Sequence, residues 1–380
     1  MRTSRLGLLL LALAGAARGT AAAEPPPAWE PGKTWALLIG VLEWEKPGLA
    51  SFPKPGRQDR VLEKTLRARG VPDTQVTFLE DREATLRGCR EALARTAEAA
   101  GAGSTLIVYF AGHGLQEDGH TYFANVDADA NVPAKTALGV DEIGRTLRDH
   151  WKGSRLLLMA DACHSGALGS IVSGYEKSDV KAASLASAAA SNVSTGSWAF
   201  TESVVAALGG DGLPDTDGDG ETTFKEAAAH VRREMRFRAG QLSDARRTRS
   251  FEPGFVLAKV DPARRPKEVA GGYRTGDYVE SEWKGTWWRA QVLGGAEGLV
   301  RVHYSGYQAS TDESVEPARL RAPRPIDRKA GESLEVEWGG KWWPGVVREV
   351  RDDFAFVHYD AYGPEWDEWV TARRLRERAP

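Results

Sequence analysis

The sequence has little cysteine, since Cys89 and Cys163 are the only two in 380 residues. Two cysteines cannot build the disulfide framework that stabilises many small exported domains. Cys89 lies between Leu86 and Leu93 at helical apolar spacing, which predicts a core residue. Cys163 instead follows an apolar stretch and has small neighbours, so it is the candidate for a reactive thiol.

The sequence also lacks a large excess of charge and a long apolar run. Its formal net charge of −3 gives no basic field of the kind that attracts nucleic acid or anionic membranes. The apolar stretch at residues 6–17 is shorter than the roughly 20 residues that a membrane-spanning helix needs. We therefore expect no membrane span and no nucleic-acid partner.

The N-terminal segment has the features of an export signal. Arg2 and Arg5 precede the apolar stretch, and the small residues Ala21-Ala22-Ala23 follow it, as signal peptidase cleavage requires. We expect residues 1–23 to be a cleaved signal peptide and the mature chain to begin at Glu24. The protein is then secreted or periplasmic, and the absence of a cysteine after the apolar stretch argues against a lipid anchor.

Residues 35–260 alternate between short apolar runs and helical patterns, after a proline-rich stretch at 24–34 that is predicted to be a linker. The strand-like runs are 35–41, 76–79, 105–110, 155–160 and 255–260, and the helical patterns are 57–69, 83–100, 140–150 and 224–238. Fully apolar strands that alternate with helices predict an α/β domain whose mostly parallel sheet is flanked by helices.

Beyond a predicted linker at 261–272, the sequence repeats itself at a shift of 55 residues. The matched positions are Trp283 with Trp338, Trp287-Trp288 with Trp342-Trp343, His303-Tyr304 with His358-Tyr359, Asp312-Glu313 with Asp367-Glu368, and Arg319-Leu320 with Arg374-Leu375. Each copy alternates apolar and polar residues in short runs. We expect two small SH3-like β-barrels, at 273–322 and 328–380, joined by a linker at 323–327.

Two glycine-bearing motifs follow apolar strands and carry the candidate catalytic residues. The first motif, residues 110–114, contains His113, and the second, residues 161–166, contains Cys163. Parallel strands end at one edge of their sheet, so we expect the two residues to meet there. In such a pair, the thiolate attacks a carbonyl carbon, and the imidazole takes the proton of the thiol and later gives it to the leaving amine. His164 is a rival base, but neighbours in extended chain point to opposite faces, which favours His113.

Over residues 35–260, these motifs resemble the signatures of the caspase-like C14 peptidases, particularly the metacaspases and their bacterial relatives. The resemblance implies a cysteine endopeptidase that acts on protein or peptide substrates, with no cofactor in its chemistry. It also implies an oxyanion hole formed by the backbone N–H groups of Gly114 and Cys163. Residues 43–55 depart from the family pattern, and the group that orients the base is not identified, although a backbone carbonyl is a candidate. The alternatives are an inactive scaffold that binds through its barrels and, less favoured, a transpeptidase or amidase with the same pair.

Two acidic residues are candidates for binding the substrate. Asp161 precedes Cys163 by two residues, and residues i and i+2 of a strand share a face, which predicts a carboxylate beside the nucleophile. Metacaspases use an acid at the matching position to bind basic side chains, and Asp59 matches their second acid. The resemblance thus implies cleavage after Arg or Lys. One alternative is a basic pocket for Asp substrates, as in caspases, because Arg57 lies near Asp59 in the sequence. Another alternative is that Asp161 only caps local backbone N–H groups.

Residues 215–226 follow the EF-hand pattern D-x-D-x-D-G-x5-E. The candidate ligands for Ca²⁺ are Asp215, Asp217, Asp219, Glu221 and Glu226. Leu213-Pro214 opposes an incoming helix, and the sequence has no second loop to pair with this one. The alternative is an acidic turn that caps the helix predicted from Phe224.

The second barrel resembles chromo-barrel, Tudor-knot and agenet modules, which often form aromatic cages for cationic groups. The candidate cage residues are Trp343, Tyr359, Tyr362, Trp366 and Trp369. The first copy has Thr311 and Ser314 in place of the last two tryptophans, which leaves its cage in doubt. The alternative is that the aromatic residues fill two small cores. The ligand of the barrels is not identified by the sequence.

Overall fold

The computed structural model describes residues 27–189, 197–351 and 353–378. These residues form an α/β domain followed by two antiparallel β-sheets, as predicted. The predicted signal peptide, residues 1–23, lies outside the described residues and stays a prediction. Within the described ranges, no helix is both long and apolar enough to cross a bilayer.

In its described residues, the α/β domain contains eleven strands and seven α-helices. The strands are β1 (Thr34–Gly40), β2 (Val76–Glu80), β3 (Thr105–Ala111), β4 (Gly114–Glu117), β5 (His120–Phe123), β6 (Leu138–Gly139), β7 (Arg155–Asp161), β8 (Lys181–Ala186), β9 (Glu221–Thr223), β10 (Asp244–Arg247) and β11 (Val256–Lys259). The helices are α1 (Asp59–Ala68), α2 (Leu86–Ala99), α3 (Pro133–Thr136), α4 (Val140–His150), α5 (Leu168–Ser173), α6 (Ala199–Gly209) and α7 (Phe224–Glu234), the last continuing as a π-helical turn, Met235–Ala239. Short 3-10 turns occur at Pro31–Lys33, Asp73–Gln75, Asp81–Glu83 and Ser165–Ala167.

The main sheet has six strands in the order β10-β8-β7-β3-β1-β2. All neighbours are parallel except β10, which pairs with β8 in the antiparallel sense. Successive side chains of β1 enter different cores: Leu37 and Ile39 join one cluster with α2, α4 and α5, whereas Leu38 joins another with α1, α6 and α7. Helices thus cover both faces of the sheet, which leaves the carboxyl ends of the parallel strands to form the site.

Two strands of this sheet do not follow the predicted pattern. β8 and β10 were not predicted, because β8 consists of three alanines with one lysine, one serine and one leucine, and β10 is charged. The apolar run at 255–260 does form a strand, β11, but it pairs with β9 in a separate two-stranded sheet. The β4-β5-β6 sheet directly follows the first glycine-bearing motif.

The proline-rich stretch before β1 is not a free linker in its described part, residues 27–34. Trp29 is buried in the core beside α1, and its indole Nε1 donates to Thr34 at 2.7 Å. The backbone N–H of Trp29 donates to the carbonyl of Val256 at 2.8 Å. The linker prediction for this stretch is therefore wrong, because one large aromatic residue anchors it to the domain.

The two repeats have the same strand topology. The first contains β12 (Tyr278–Trp283), β13 (Thr286–Ala296), β14 (Leu299–Tyr304), β15 (Glu313–Val315) and β16 (Leu320–Arg321), in the order β15-β14-β13-β12-β16. The second contains β17 (Ser333–Trp338), β18 (Lys341–Arg351), β19 (Phe354–Tyr359), β20 (Glu368–Thr371) and β21 (Leu375–Glu377), in the order β20-β19-β18-β17-β21. The accompanying 3-10 turns are Pro262–Arg264, Ala270–Gly272, Ala309–Thr311, Pro317–Arg319, Pro364–Trp366 and Ala372–Arg374. A β-bulge falls at the matching place in both copies, after Val292 and after Val347.

The polar residues that the repeats share bond to one another within each copy. In the second copy, His358 bonds to Asp367 at 2.7 Å, and the Tyr359 hydroxyl donates to Glu368 at 2.7 Å. Arg374 then donates to the same Glu368 and to the carbonyl of Glu337. The first copy has the same set of bonds between the matching residues. These repeated polar residues therefore stabilise the barrels.

Candidate active site

The two glycine-bearing motifs lie side by side because β3 and β7 are neighbouring parallel strands. Their register pairs Ala111 with Asp161, and this offset of 50 residues also separates His113 from Cys163. A β-carbon added to Gly114 would lie 1.8 Å from the carbonyl oxygen of Cys163. Glycine is therefore required at position 114, and the two motifs are in contact through their backbones.

A backbone carbonyl orients the imidazole of His113. The Nε2 atom lies 2.8 Å from the carbonyl oxygen of Ala50. Because a carbonyl oxygen only accepts hydrogen bonds, Nε2 carries the hydrogen and the neutral ring keeps its lone pair on Nδ1. Ala50 thus supplies the orienting group that the sequence left open, and it comes from the stretch at 43–55 that departs from the family pattern.

Aromatic rings cover the same imidazole on two sides. The ring centroid of Trp44 lies 4.5 Å from that of His113, and the centroid of Phe52 lies 4.6 Å from it. Burial lowers the pKa of His113, and this effect outweighs the hydrogen bond to Ala50, which acts in the opposite direction. The imidazole is therefore neutral near pH 7 and suited to accept a proton at Nδ1.

The two cysteines have different surroundings, and neither takes part in a disulfide. Cys89 is buried in the core of α2, as predicted, and burial raises the pKa of its thiol to about 12. Cys163 is partly exposed, two residues beyond the end of β7. Only Cys163 therefore has the access that a nucleophile needs.

The argument that placed His164 on the opposite face from Cys163 does not hold. β7 ends at Asp161, and His164 adopts a left-handed backbone conformation with a φ of 58° before the turn at Ser165–Ala167. Alternation along an extended strand thus says nothing about the direction of this side chain. The choice of His113 as the base stays a prediction.

Asp161 ends β7, and its carboxylate faces the start of α6. The Oδ2 atom accepts hydrogen bonds from the hydroxyl of Thr201 at 2.6 Å and from its backbone N–H at 3.3 Å. Burial raises the pKa of Asp161 to about 7, although hydrogen bonds from Thr201 and Ser187 oppose this shift. The carboxyl group is therefore much harder to ionise than an exposed aspartate. We expected Asp161 and Cys163 to lie on one face of a strand that continues through both. The strand ends at Asp161, so this expectation does not apply.

Asp59 is already paired inside the protein. It is fully buried at the start of α1, and Arg57 donates to both of its carboxylate oxygens, at 2.6 and 2.9 Å. The same guanidinium also donates to Glu80 at 2.9 Å and to Asp81 at 2.8 Å. The predicted role of Asp59 in holding a substrate cation is at odds with this pairing. Arg57 is equally engaged, which weakens the alternative of a pocket for Asp.

The EF-hand-like loop brings three of its five candidate ligands together. Carboxylate oxygens of Asp215, Asp217 and Asp219 lie within 4.8 Å of one another. Glu226 instead accepts from the backbone N–H groups of Thr216 and Thr223 and forms the capping box of α7. In this arrangement Glu226 serves the helix cap and does not join the three aspartates as the predicted Ca²⁺ ligand.

The remaining candidate ligand, Glu221, belongs to a strand. Its backbone N–H donates to Asp219 at 2.8 Å, and Glu221 is the first residue of β9. In a paired EF-hand, the strand of one loop pairs with the strand of a second loop. Here β9 pairs with β11 instead. The Glu221 carboxylate does not belong to the group that the three aspartates form among the described residues. Calcium binding stays a prediction.

We expect Asp217→Ala to weaken calcium binding by the loop at least about tenfold, because the charge and number of ligands set the affinity of such loops. Asp217 is exposed, and its side chain bonds only within the loop, so the fold should persist. Isothermal titration of Ca²⁺ measures the effect, with Asp179→Ala as a control at an exposed acid outside the loop. Equal heats for wild type and Asp217→Ala, or no heat for wild type, would show that the loop is only a turn.

Four of the five predicted cage residues do cluster in the second barrel. Tyr362 packs edge-on against Trp343 at 5.7 Å, against Trp366 at 6.0 Å and against Tyr359 at 6.4 Å. Trp338, which the prediction omitted, joins them through Trp366 at 5.9 Å. The sequence repeat was the signal that could have found it, since Trp338 matches Trp283 of the first copy.

Trp369 does not belong to this cluster, so its assignment to the cage is wrong. Its side chain is 8% exposed and packs with Phe354 and Leu242, the latter in the α/β domain. Phe356 lies against the same ring at 5.3 Å. The tryptophan therefore contributes to contact between the domains.

The first barrel, whose cage was in doubt, has a cavity of about 280 Å³. It is lined by Trp283, Trp288, Tyr304, Tyr307, Thr311 and Glu313. The first four match Trp338, Trp343, Tyr359 and Tyr362 of the second copy, and Thr311 stands at the place of Trp366. Aromatic rings attract an organic cation, whereas the Glu313 carboxylate already binds Arg319 at 2.8 Å.

The family comparison agrees with this geometry. The caspase-domain family matches residues 33–251, more than half of the chain, and the chain belongs to that family. The Agenet-domain family matches residues 332–380, which include the second barrel. No curated protein matches the chain.

Solved structures show only distant similarity. A structural-genomics protein of Geobacter sulfurreducens is 15% identical, with a TM-score of 0.44, over 60% of this chain and 100% of its own. Tandem Agenet domains 3-4 of ADCP1 are 20% identical, with a TM-score of 0.14, over 27% of this chain and 79% of theirs. The corresponding part of AGDP1 from Arabidopsis thaliana is 19% identical, with a TM-score of 0.15, over 27% and 81%. These values are too low to transfer a function.

Proposed function

We propose that this protein is a cysteine endopeptidase that uses Cys163 as its nucleophile and His113 as its base. The observation that supports this most is the backbone contact between Gly114 and Cys163, which brings the two motifs to one point at the sheet edge. The neutral imidazole of His113, tied at Nε2 by Ala50, supports the same assignment because its Nδ1 is left to accept a proton. Membership of the caspase-domain family gives the class of reaction.

In the proposed reaction, Nδ1 of His113 takes the proton of the Cys163 thiol, and the thiolate attacks the carbonyl carbon of the scissile bond. The resulting oxyanion accepts hydrogen bonds from the backbone N–H groups of Gly114 and Cys163. His113 then returns the proton to the leaving amine, which departs and leaves a thioester. Water, deprotonated by the same imidazole, hydrolyses the thioester and restores the thiol. The steps require no metal or cofactor.

We further propose that the substrate has Arg or Lys before the scissile bond. Asp161 supports this preference, because it lies near Cys163 and, among the described residues, has donors of hydroxyl and amide type but no basic side chain at salt-bridge distance. A partly buried carboxyl group whose pKa is raised gains most from a cationic partner. Asp59 gives the pocket no support, since Arg57 already neutralises it.

We expect an Arg peptide to be cleaved at least about tenfold better than the matched citrulline peptide, because a charge-assisted hydrogen bond contributes roughly 1.5–3 kcal/mol. Asp161→Asn should remove this preference. The KM for the Arg peptide should fall as pH rises through about 7, since the carboxyl group gains its charge there. Steady-state kinetics from pH 5.5 to 8.5 measure all three effects. An Arg preference that survives in Asp161→Asn, or faster cleavage after Asp, would contradict the assignment.

The first barrel supports a second function, the binding of a cationic group that targets the peptidase. The observation that favours it is the cavity lined by Trp283, Trp288, Tyr304 and Tyr307, with Glu313 on its wall. Trp283 and Tyr307 are each about half exposed, so a ligand has access to their rings. The N-terminal segment predicts that the protein is secreted or periplasmic. The ligand that we propose is therefore one that occurs outside the cytoplasm.

We expect choline to bind the first barrel about tenfold more tightly than 3,3-dimethylbutan-1-ol, its uncharged isostere, because cation–π attraction requires the charge. Trp288→Ala should abolish binding, whereas Trp343→Ala in the second barrel should not. Indole N–H chemical shifts of the full chain, followed by NMR during titration, report the site. Equal shifts with the charged and uncharged compounds would show that the cavity does not select cations.

A further inference from the structure

The second barrel packs on the α/β domain through side chains that its internal repeat lacks. Trp369 and Phe354 are buried in one cluster with Leu242. This cluster is separate from the core of the second barrel. At the shift of 55 residues, the first barrel has an exposed Ser314 and a smaller Leu299 in these places. The difference between the copies shows that the barrel itself does not need these aromatic residues, and that they serve the contact.

A buried carboxylate joins the same surfaces. The side chain of Asp353, in the second barrel, is 2% exposed, and its Oδ2 accepts from Arg236 Nε at 2.7 Å and from Arg289 Nη2 at 3.4 Å. Arg236 lies in the turn after α7, and Arg289 lies in the first barrel. The first barrel adds Tyr278, whose hydroxyl donates to Glu234 of α7 at 2.7 Å. The second barrel therefore contacts the turn that follows α7, and the first barrel contacts both this turn and α7.

The contact surface continues into the segment that follows β8. The carbonyl of Leu242, which packs against Trp369, accepts from the backbone N–H of Ala189 at 2.9 Å. The preceding residue, Gln241, is buried, and its Nε2 donates to the carbonyl of Ser187 at 2.8 Å. Residues 241–242 thus connect the second barrel to both ends of residues 187–189.

Residues 187–188 hold the chain on both sides of Cys163. The hydroxyl of Ser187 is fully buried and accepts from the backbone N–H of Ala162 at 3.0 Å. The carbonyl of Ala188 accepts from the backbone N–H of Gly166 at 2.9 Å. The catalytic segment is therefore attached, before and after the nucleophile, to residues that the barrel contact supports.

We infer that the docked second barrel braces the catalytic segment, with Trp369 as a positioning residue that acts on Cys163 through Leu242, Gln241 and Ser187. Loss of the contact leaves residues 187–189 supported from one side only, and local opening of the Cys163 segment becomes easier. The effect on turnover rests on the proposed peptidase function, whereas the effect on local opening does not. A partner that draws the second barrel away would lower turnover without touching His113 or Cys163.

The test compares Trp369→Ser with Trp342→Ser in the full chain. Trp369→Ser introduces the residue that the first barrel has at this place, so the barrel should fold. Trp342 is a half-buried tryptophan of the same barrel that packs under Arg376, outside both the aromatic cluster and the domain contact. We expect amide hydrogen exchange in peptides covering 162–166 and 187–189 to be at least about fivefold faster in Trp369→Ser and unchanged in Trp342→Ser. Exchange in α2, which the contact does not reach, should be unchanged in both.

Turnover provides a second readout, since a positioning residue affects kcat more than KM. We expect kcat for a cleaved peptide to fall at least about fivefold in Trp369→Ser, with Trp342→Ser equal to wild type. Unchanged exchange at 162–166 and 187–189 in Trp369→Ser would overturn the inference. Exchange in α2 of the same variant that is faster by the same factor would also overturn it, because it indicates general destabilisation. If wild type cleaves no peptide, the peptidase proposal fails, while the exchange result still decides whether the barrel braces the segment.

Discussion

Cys163→Ala is expected to lower peptide cleavage by at least about a thousandfold, because it removes the atom that forms the covalent intermediate. The substitution deletes one sulfur from a partly exposed position, so the fold should be unchanged. Cleavage of a peptide library, followed by mass spectrometry, measures the loss. Cys89→Ala is the matched control and should retain turnover within a few-fold, since Cys89 is a core residue whose thiol pKa is raised to about 12 by burial.

Cleavage that survives in Cys163→Ala would remove Cys163 from the mechanism. Loss of cleavage in Cys89→Ala, with circular dichroism like that of wild type, would point to the wrong thiol. The two variants together therefore separate a chemical effect of the nucleophile from a general effect of losing a sulfur atom.

His113→Ala is expected to lower kcat by about 10²–10⁴-fold, the range for loss of a general base. His164→Ala should have a much smaller effect, because the carbonyl of Ala50 fixes the tautomer of His113 and leaves Nδ1 as its acceptor. Initial rates for both variants, with one peptide and at several pH values, compare the two histidines. A larger loss in His164→Ala than in His113→Ala would exchange their roles.

The pH profile of wild type gives an independent check on the base. Burial between Trp44 and Phe52 lowers the pKa of His113, so the imidazole stays neutral below the usual pH of histidine titration. For the citrulline peptide, whose binding does not require the charge of Asp161, the acid limb of kcat/KM should therefore lie below pH 6.5, the ordinary histidine value. Replacing Phe52 by Ala should move this limb to higher pH.

The buried parallel strands were the part of the fold that sequence reasoning could predict. β1, β3 and β7 begin and end within one residue of the predicted apolar runs, because strands covered on both faces need continuous apolar sequence. β8 could not be predicted in the same way. Its alanines and serines have weak strand preference, and they form a strand because small side chains suit its place between β7 and β10.

The site shows the same division between local and distant effects. His113 and Cys163 were predictable because each carries its motif in the local sequence. The pairing of Arg57 with Asp59, Glu80 and Asp81 was not, since it joins three separate elements. Trp369 was misplaced for a related reason: an internal repeat shows which residues differ between copies, but only the docked structure shows that the difference serves a contact.

Covalent trapping tests the central claim most directly. A peptide ester with Arg before the ester bond is mixed with the protein, the reaction is quenched in acid, and the digested protein is analysed by mass spectrometry. The account predicts an acyl group on the peptide that contains Cys163, none on the peptide that contains Cys89, and no adduct at all in Cys163→Ala. Ester or peptide cleavage by wild type with the acyl group on another residue, or with Cys163→Ala still acylated, would contradict it.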